Sequence, residues 1–114
     1  MTIIEILKVV AAVLTIATGA LALARPRSIT GFIGLQAPGG RGVTELRAVF
    51  GGAFIALGAF PLLVDAAVAY RMLGAMYLLI AIVRAPAMAI DRSLERSNLI
   101  SLAVELVLGL VLIW

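Results

Sequence analysis

The chain contains no cysteine and no histidine. These absences exclude a disulfide framework and any metal site built on thiolate or imidazole. They equally exclude bis-histidine haem, cysteine-ligated iron–sulfur clusters, histidine-held chlorophyll and any nucleophile paired with histidine. Charge is scarce too. Only 13% of the 114 residues are charged, against about 25% in an ordinary soluble domain. What fills the space is apolar: hydrophobic residues make up 64% and the mean hydropathy is +1.21. A water-soluble domain is a poor fit to this composition, and the length suits one membrane-embedded domain. The net charge is +3 and the pI about 10.2. In a soluble protein that balance would invite nucleic acid. Here the arginines stand at the ends of apolar runs, which is how membrane orientation is set, so no nucleic-acid partner is expected.

The apolar runs divide into four expected membrane helices, at about 3–24, 44–64, 67–90 and 97–114. Each comes close to the ~20 residues that span a hydrocarbon core of about 30 Å. The first run is longer than the roughly 7–15 residues of a signal-peptide core, and Glu5 and Lys8 sit near its start. It is expected to remain as a membrane helix. Arg25-Pro26-Arg27 stops it with charge and a ring that breaks the helix. Residues 28–35 are apolar but too short to cross, and are expected to form an interfacial or re-entrant segment. Ala37-Pro38-Gly39-Gly40-Arg41-Gly42 reads as a turn-forming loop, with Thr44 as the cap of the second helix and Glu45 at its positive end. Asp65-Ala66 and Asp91 to Arg96 are short connections, making the last three helices antiparallel neighbours. The expected fold is an all-α integral membrane four-helix bundle. Arg25, Arg27, Arg41, Arg92 and Arg96 lie in the first and third connections. The positive-inside rule then places both termini on the non-cytoplasmic side.

In lipid, helices gain from close backbone approach rather than from hydrophobic exclusion. Ala12, Thr15, Gly19 and Ala22 recur at helical spacing in the first helix, and Ala48, Gly52, Ala56 and Ala59 in the second, with Gly51 and Gly58 beside them. Gly74 and Ala81 in the third helix, and Asn98, Ser101, Glu105 and Gly109 in the fourth, complete the candidate packing faces.

Five ionisable residues interrupt the apolar stretches: Glu45, Arg47, Arg71, Arg84 and Glu105. A charge at the centre of a membrane helix costs from roughly 3 kcal/mol to well above that, so such groups pair, line a wet cavity or carry function. Arg71 lies one turn into its helix and can snorkel. Counting from the turn at Asp65, Arg47 and Arg84 each lie about 18 residues, or about 27 Å, away. Counting from the turn near Ser93, Arg84 lies at about 14 Å and Glu105 at about 18 Å. Glu45, Arg47, Arg84 and Glu105 are therefore expected at a similar depth, with no net charge, and with Tyr77 two turns before Arg84 on the same face. Arg84 is the preferred partner of Glu105, with Arg47 second. This set reads as a structural ion-pair network, a pocket for a lipid head group, quinone or other small polar molecule, or a proton- or ion-coupled pathway.

The stretch Gly34-Leu35, then Gly42-Val43-Thr44-Glu45-Leu46-Arg47-Ala48-Val49-Phe50-Gly51-Gly52, followed by Gly58, resembles the signature of a bacterial family of small four-helix membrane proteins, a domain of unknown function (number 4345). The resemblance covers most of the chain. It implies the four-helix topology and places Glu45 and Arg47 in the family's most characteristic segment. It implies no activity, ligand or partner.

The residues lead to an expectation of a non-enzymatic inner-membrane protein with no metal and no cofactor. It would contact lipid and act laterally, as an accessory or assembly subunit of a larger complex or as a homo-oligomer. Ile3, Ile6, Val10, Leu14, Leu102, Leu106 and Val107 offer exposed apolar faces for lipid or protein. The alternative is a small transporter or lipid/quinone-binding protein using the Glu/Arg pocket. An enzyme ranks third, because no nucleophile or metal set accompanies Glu45 or Glu105.

Overall fold

A computed structural model describes residues 1–114. Five helices follow in order: α1 (Ile3–Ala24), α2 (Pro26–Ile33), α3 (Gly39–Val64), α4 (Ala67–Ile90) and α5 (Arg96–Ile113). There are no strands. All but α2 are long and apolar enough to cross a membrane, so the chain is a small multi-pass membrane protein. It divides into two compact units, Val9–Asp65 and Ala66–Trp114 with Met1–Lys8.

Local chemistry explains where the helices begin and end. At the start of α1 the Thr2 hydroxyl accepts from the Glu5 N–H and the Glu5 carboxylate accepts from the Thr2 N–H, both at 3.3 Å. This reciprocal arrangement satisfies N–H groups that a helix end leaves without partners. It also gives Glu5 a local role. Pro26 opens α2, at the position where a missing N–H costs nothing. Gly34 closes it in the left-handed conformation, φ 71°, which glycine adopts without steric cost. Asp65 ends α3 with φ 46°, and its N–H reaches the Pro61 carbonyl at 2.9 Å. The helices run on through Pro61 and Pro86.

The start of the second spanning helix corrects the sequence expectation. It begins at Gly39 rather than near residue 44, so Thr44 lies inside the helix and is not its cap. Gly39 enters with φ 58°, and the Gly42 N–H closes the first turn on the Pro38 carbonyl at 3.1 Å. A side chain at residue 42 would lie 2.8 Å from the Ala37 carbonyl carbon. The glycines that suggested a loop are thus what lets the chain turn tightly into a helix.

Within α3, Leu46–Ala53 is a π-helix. Its i→i+5 hydrogen bonds widen the turn and change the rotation per residue. In the Val9–Asp65 unit this stretch presents Gly51, and further along Gly58, to the small face of α1. Ala11, Ala12, Thr15, Gly19 and Ala22 of α1 are all buried. A Cβ at Gly58 would lie 2.6 Å from the Ala12 carbonyl oxygen, and one at Gly19 would lie 2.7 Å from the Gly51 carbonyl oxygen. Gly52 departs from expectation: it is exposed, and a Cβ there would meet nothing within 4 Å. Ala48 and Ala56 are exposed with it. A stripe drawn at α-helical spacing through a π-helical stretch points away from the neighbour.

In the other unit α4 and α5 form an antiparallel pair joined at residues 91–95. Gly74 fits against Leu112 and Ile113, and Gly109 against Leu78, each with a virtual Cβ inside 3.0 Å of its neighbour. Leu73 and Leu112 are among the largest fully buried side chains.

Candidate functional site

The one buried charge sits midway along α5. Glu105 is 7% exposed, and a lone carboxylate at that depth would be strongly unfavourable. It is not alone. Arg84 Nε donates to both carboxylate oxygens, at 2.8 and 3.1 Å, and Nη2 donates to Oε2 at 2.7 Å. This is the planar fork-on-carboxylate geometry that gives charge-assisted hydrogen bonds direction as well as strength. The third nitrogen of the guanidinium, Nη1, donates to the Asn98 Oδ1 at 2.8 Å.

Helix spacing makes this possible. Asn98 and Glu105 are seven residues apart, two turns along one face of α5 and about 10 Å along its axis. The antiparallel α4 lays the arginine stem between them. Asn98 also donates through Nδ2 to the Ser93 carbonyl at 2.8 Å, tying the 91–95 connection to the ion pair. The result is a continuous chain from loop backbone to amide to guanidinium to carboxylate. Beside it lies an open groove of about 550 Å³, apolar along Met76, Leu79 and Val83 and polar at Arg84, Asp91 and Asn98.

With this geometry in hand, the whole chain finds a match. A family model described as a domain of unknown function (DUF4345) covers residues 3–114. The chain belongs to this family. No curated protein matches it, and no solved structure does.

In this DUF4345 chain the residues singled out from sequence have separate fates. Arg84 and Glu105 meet as expected. Glu45 is exposed and pairs with Arg41, one turn earlier in its own helix. Arg47 is exposed and belongs to no ion pair. The reason is local: Arg41 and Glu45 stand at i and i+4, where side chains meet without any tertiary help. Tyr77 is buried in α4. Of the packing glycines, Gly51, Gly58 and Gly109 are buried and Gly52 is not. No three acidic side chains gather to offer a metal-ligand set.

Asn98 is the member that sequence reading undervalued, placing it only as a packing residue. Its signal was its position two turns before Glu105, at the loop end of the helix, where a long arginine can serve both. Asn98→Leu is expected to cost about 1–3 kcal/mol, because it orphans the Ser93 carbonyl and one arginine N–H together. Unfolding of the variant in detergent measures this. A loss no larger than that of a surface substitution would mean that the amide bridge carries no weight.

Proposed function

We propose that this protein acts by lateral contact in a bacterial inner membrane, as a non-enzymatic accessory, assembly or structural subunit of a larger membrane complex or as a homo-oligomer. The observation that carries this reading is the self-contained ion pair. Arg84, Glu105, Asn98 and the Ser93 carbonyl satisfy one another, so the buried charges serve to hold α4 and α5 in register. Large apolar side chains face outward along the spanning helices, including Ile3 at 78%, Leu79 at 61% and Val107 at 60% exposure. Ile6, Val10, Leu14 and Leu106 are exposed with them. Arginine-rich connections favour an orientation with both termini on the non-cytoplasmic side.

The test is purification of the tagged chain from native membranes in a mild detergent. A second membrane chain in fixed stoichiometry, or a defined multimer of this one, is the expected result. A monomer that carries no protein partner across several detergents and in nanodiscs would overturn the reading.

The groove at Arg84 favours a second reading, in which the protein binds a lipid or quinone, or transports a small amphiphile. A stoichiometric organic ligand extracted from the purified protein, and lost in Val83→Trp, would support it. Ligand-free protein with unchanged properties in Val83→Trp would count against it.

A further inference from the structure

A second pocket, of about 540 Å³, lies at the C-terminal end of α2, lined among others by Arg27, Thr30, Gly31, Gly34, Gln36 and Pro38. We propose that it holds the headgroup of an anionic phospholipid. This site is separate from the Arg84 groove and from the lateral-contact reading.

Gly31 is the first clue. It stands inside α2, where glycine is less favourable than alanine. Nothing in the protein requires it: a Cβ there would meet no atom within 4 Å. What the missing side chain does is leave the pocket open one helical turn from Arg27. Arg27 itself is exposed and in no ion pair. Residues 25–47 hold Arg25, Arg27, Arg41 and Arg47 against a single acid, Glu45, which Arg41 already engages.

The two helix ends nearest the pocket are the C-terminus of α2 and the N-terminus of α3, which carries no side-chain cap. Their partial charges are opposite and offset each other, so the Arg27 guanidinium decides the sign of the site. A guanidinium fork matches phosphate oxygens, and the Gln36 amide adds a neutral donor. No acidic or aromatic side chain lines the pocket to receive the ammonium of a zwitterionic lipid, which is why the lipid should carry net negative charge. Leu35 lines the pocket at 52% exposure, and Phe32, next to Gly31 in α2, is 49% exposed. Apolar side chains beside a basic pocket set α2 at the boundary between headgroups and acyl chains, the depth at which phosphates lie.

The experiment uses the full chain in detergent, titrated with phosphatidylglycerol and phosphatidylcholine of identical acyl chains and read by native mass spectrometry. The expected result is one phosphatidylglycerol bound about tenfold more tightly than phosphatidylcholine: both offer a phosphate to Arg27, but phosphatidylcholine adds a quaternary ammonium that the unpaired guanidinium repels and no lining residue receives. Arg27→Gln should bring the two lipids level. Gly31→Leu should fill the pocket and abolish the preference while thermal stability holds, since a Cβ at residue 31 has open space around it and leucine favours the helix over glycine. Arg25→Gln, outside the pocket lining, should keep the preference. Equal affinity in the parent protein, or an unchanged preference in both Arg27→Gln and Gly31→Leu, would overturn the proposal. So would an equal loss in Arg25→Gln, because that would make the effect one of diffuse charge.

Discussion

Glu105→Gln is expected to destabilise the protein by about 2–4 kcal/mol, among the largest losses from any conservative substitution in this chain. Breaking a buried ion pair by removing one partner commonly costs about 3–5 kcal/mol. Two facts bring the figure down. The Arg84 side chain keeps 30% exposure on the groove side, and hydrogen bonds between membrane helices are often worth less than about 1 kcal/mol each because the unfolded chain in lipid finds other partners. A charge left without its counter-ion has no such escape. Arg84→Gln leaves the buried carboxylate without its counter-ion and should also destabilise, by about 1–3 kcal/mol. The double variant should lose about as much as the worse single, a coupling of roughly 1–3 kcal/mol. Equilibrium unfolding of all four proteins in one detergent makes the comparison. Additive losses would mean that the 2.7 Å contact contributes geometry and no energy.

The same pair marks how far the sequence could be read. Distance along a helix is legible, because rise per residue is fixed and a short turn sets a common origin. That is why Arg84 and Glu105 could be matched across the 91–95 connection, and why Asp65-Ala66 separates α3 from α4 as expected. Rotation about a helix axis is less legible. Residue spacing alone assigns Glu45 and Arg47 a depth for a larger network, yet depth says nothing about which way a side chain points. Arg41, four residues before Glu45, needs no tertiary geometry to reach it. The π-helical stretch was not legible at all: its residues, Leu46-Arg47-Ala48-Val49-Phe50-Gly51-Gly52-Ala53, carry no composition that separates i→i+5 from i→i+4 bonding. Gly51 and Gly58 stand seven residues apart and share the face that packs on α1, while Gly52 is turned one residue away from it. The early start of α3 was obscured for another reason. Glycine is the weakest helix former after proline, and only the close approach of Gly42 to Ala37 and the positive φ of Gly39 reveal why two of the three glycines stand in that first turn.

Gly58 is the point of closest approach between α3 and α1. Gly58→Leu should separate α1 from α3 and lower the thermal midpoint more than any other single glycine substitution in α3. The virtual Cβ lies 2.6 Å from the Ala12 carbonyl oxygen, 2.8 Å from Ile16 Cγ1 and 3.0 Å from the Ile16 nitrogen. Two of these are backbone atoms of a helix, which cannot swing aside as a side-chain tip can. Overpacking costs about 1–3 kcal/mol in cores that can adjust. Here the adjustment is movement of a whole helix, in a solvent where close packing is the main force between helices, so the upper end of that range applies. Even Gly58→Ala should be unfavourable, because the roughly 1 kcal/mol that alanine gains over glycine in a helix is smaller than the clash. Gly51→Ala, with contacts at 3.2–3.3 Å, should fall near zero, the two terms offsetting each other. Gly52→Ala meets nothing and should be neutral or stabilising. The order of melting temperatures, Gly52→Ala above Gly51→Ala above Gly58→Ala above Gly58→Leu, tests the helix rotation directly. If Gly52→Ala proved the more damaging alanine, α3 would present its other face to α1.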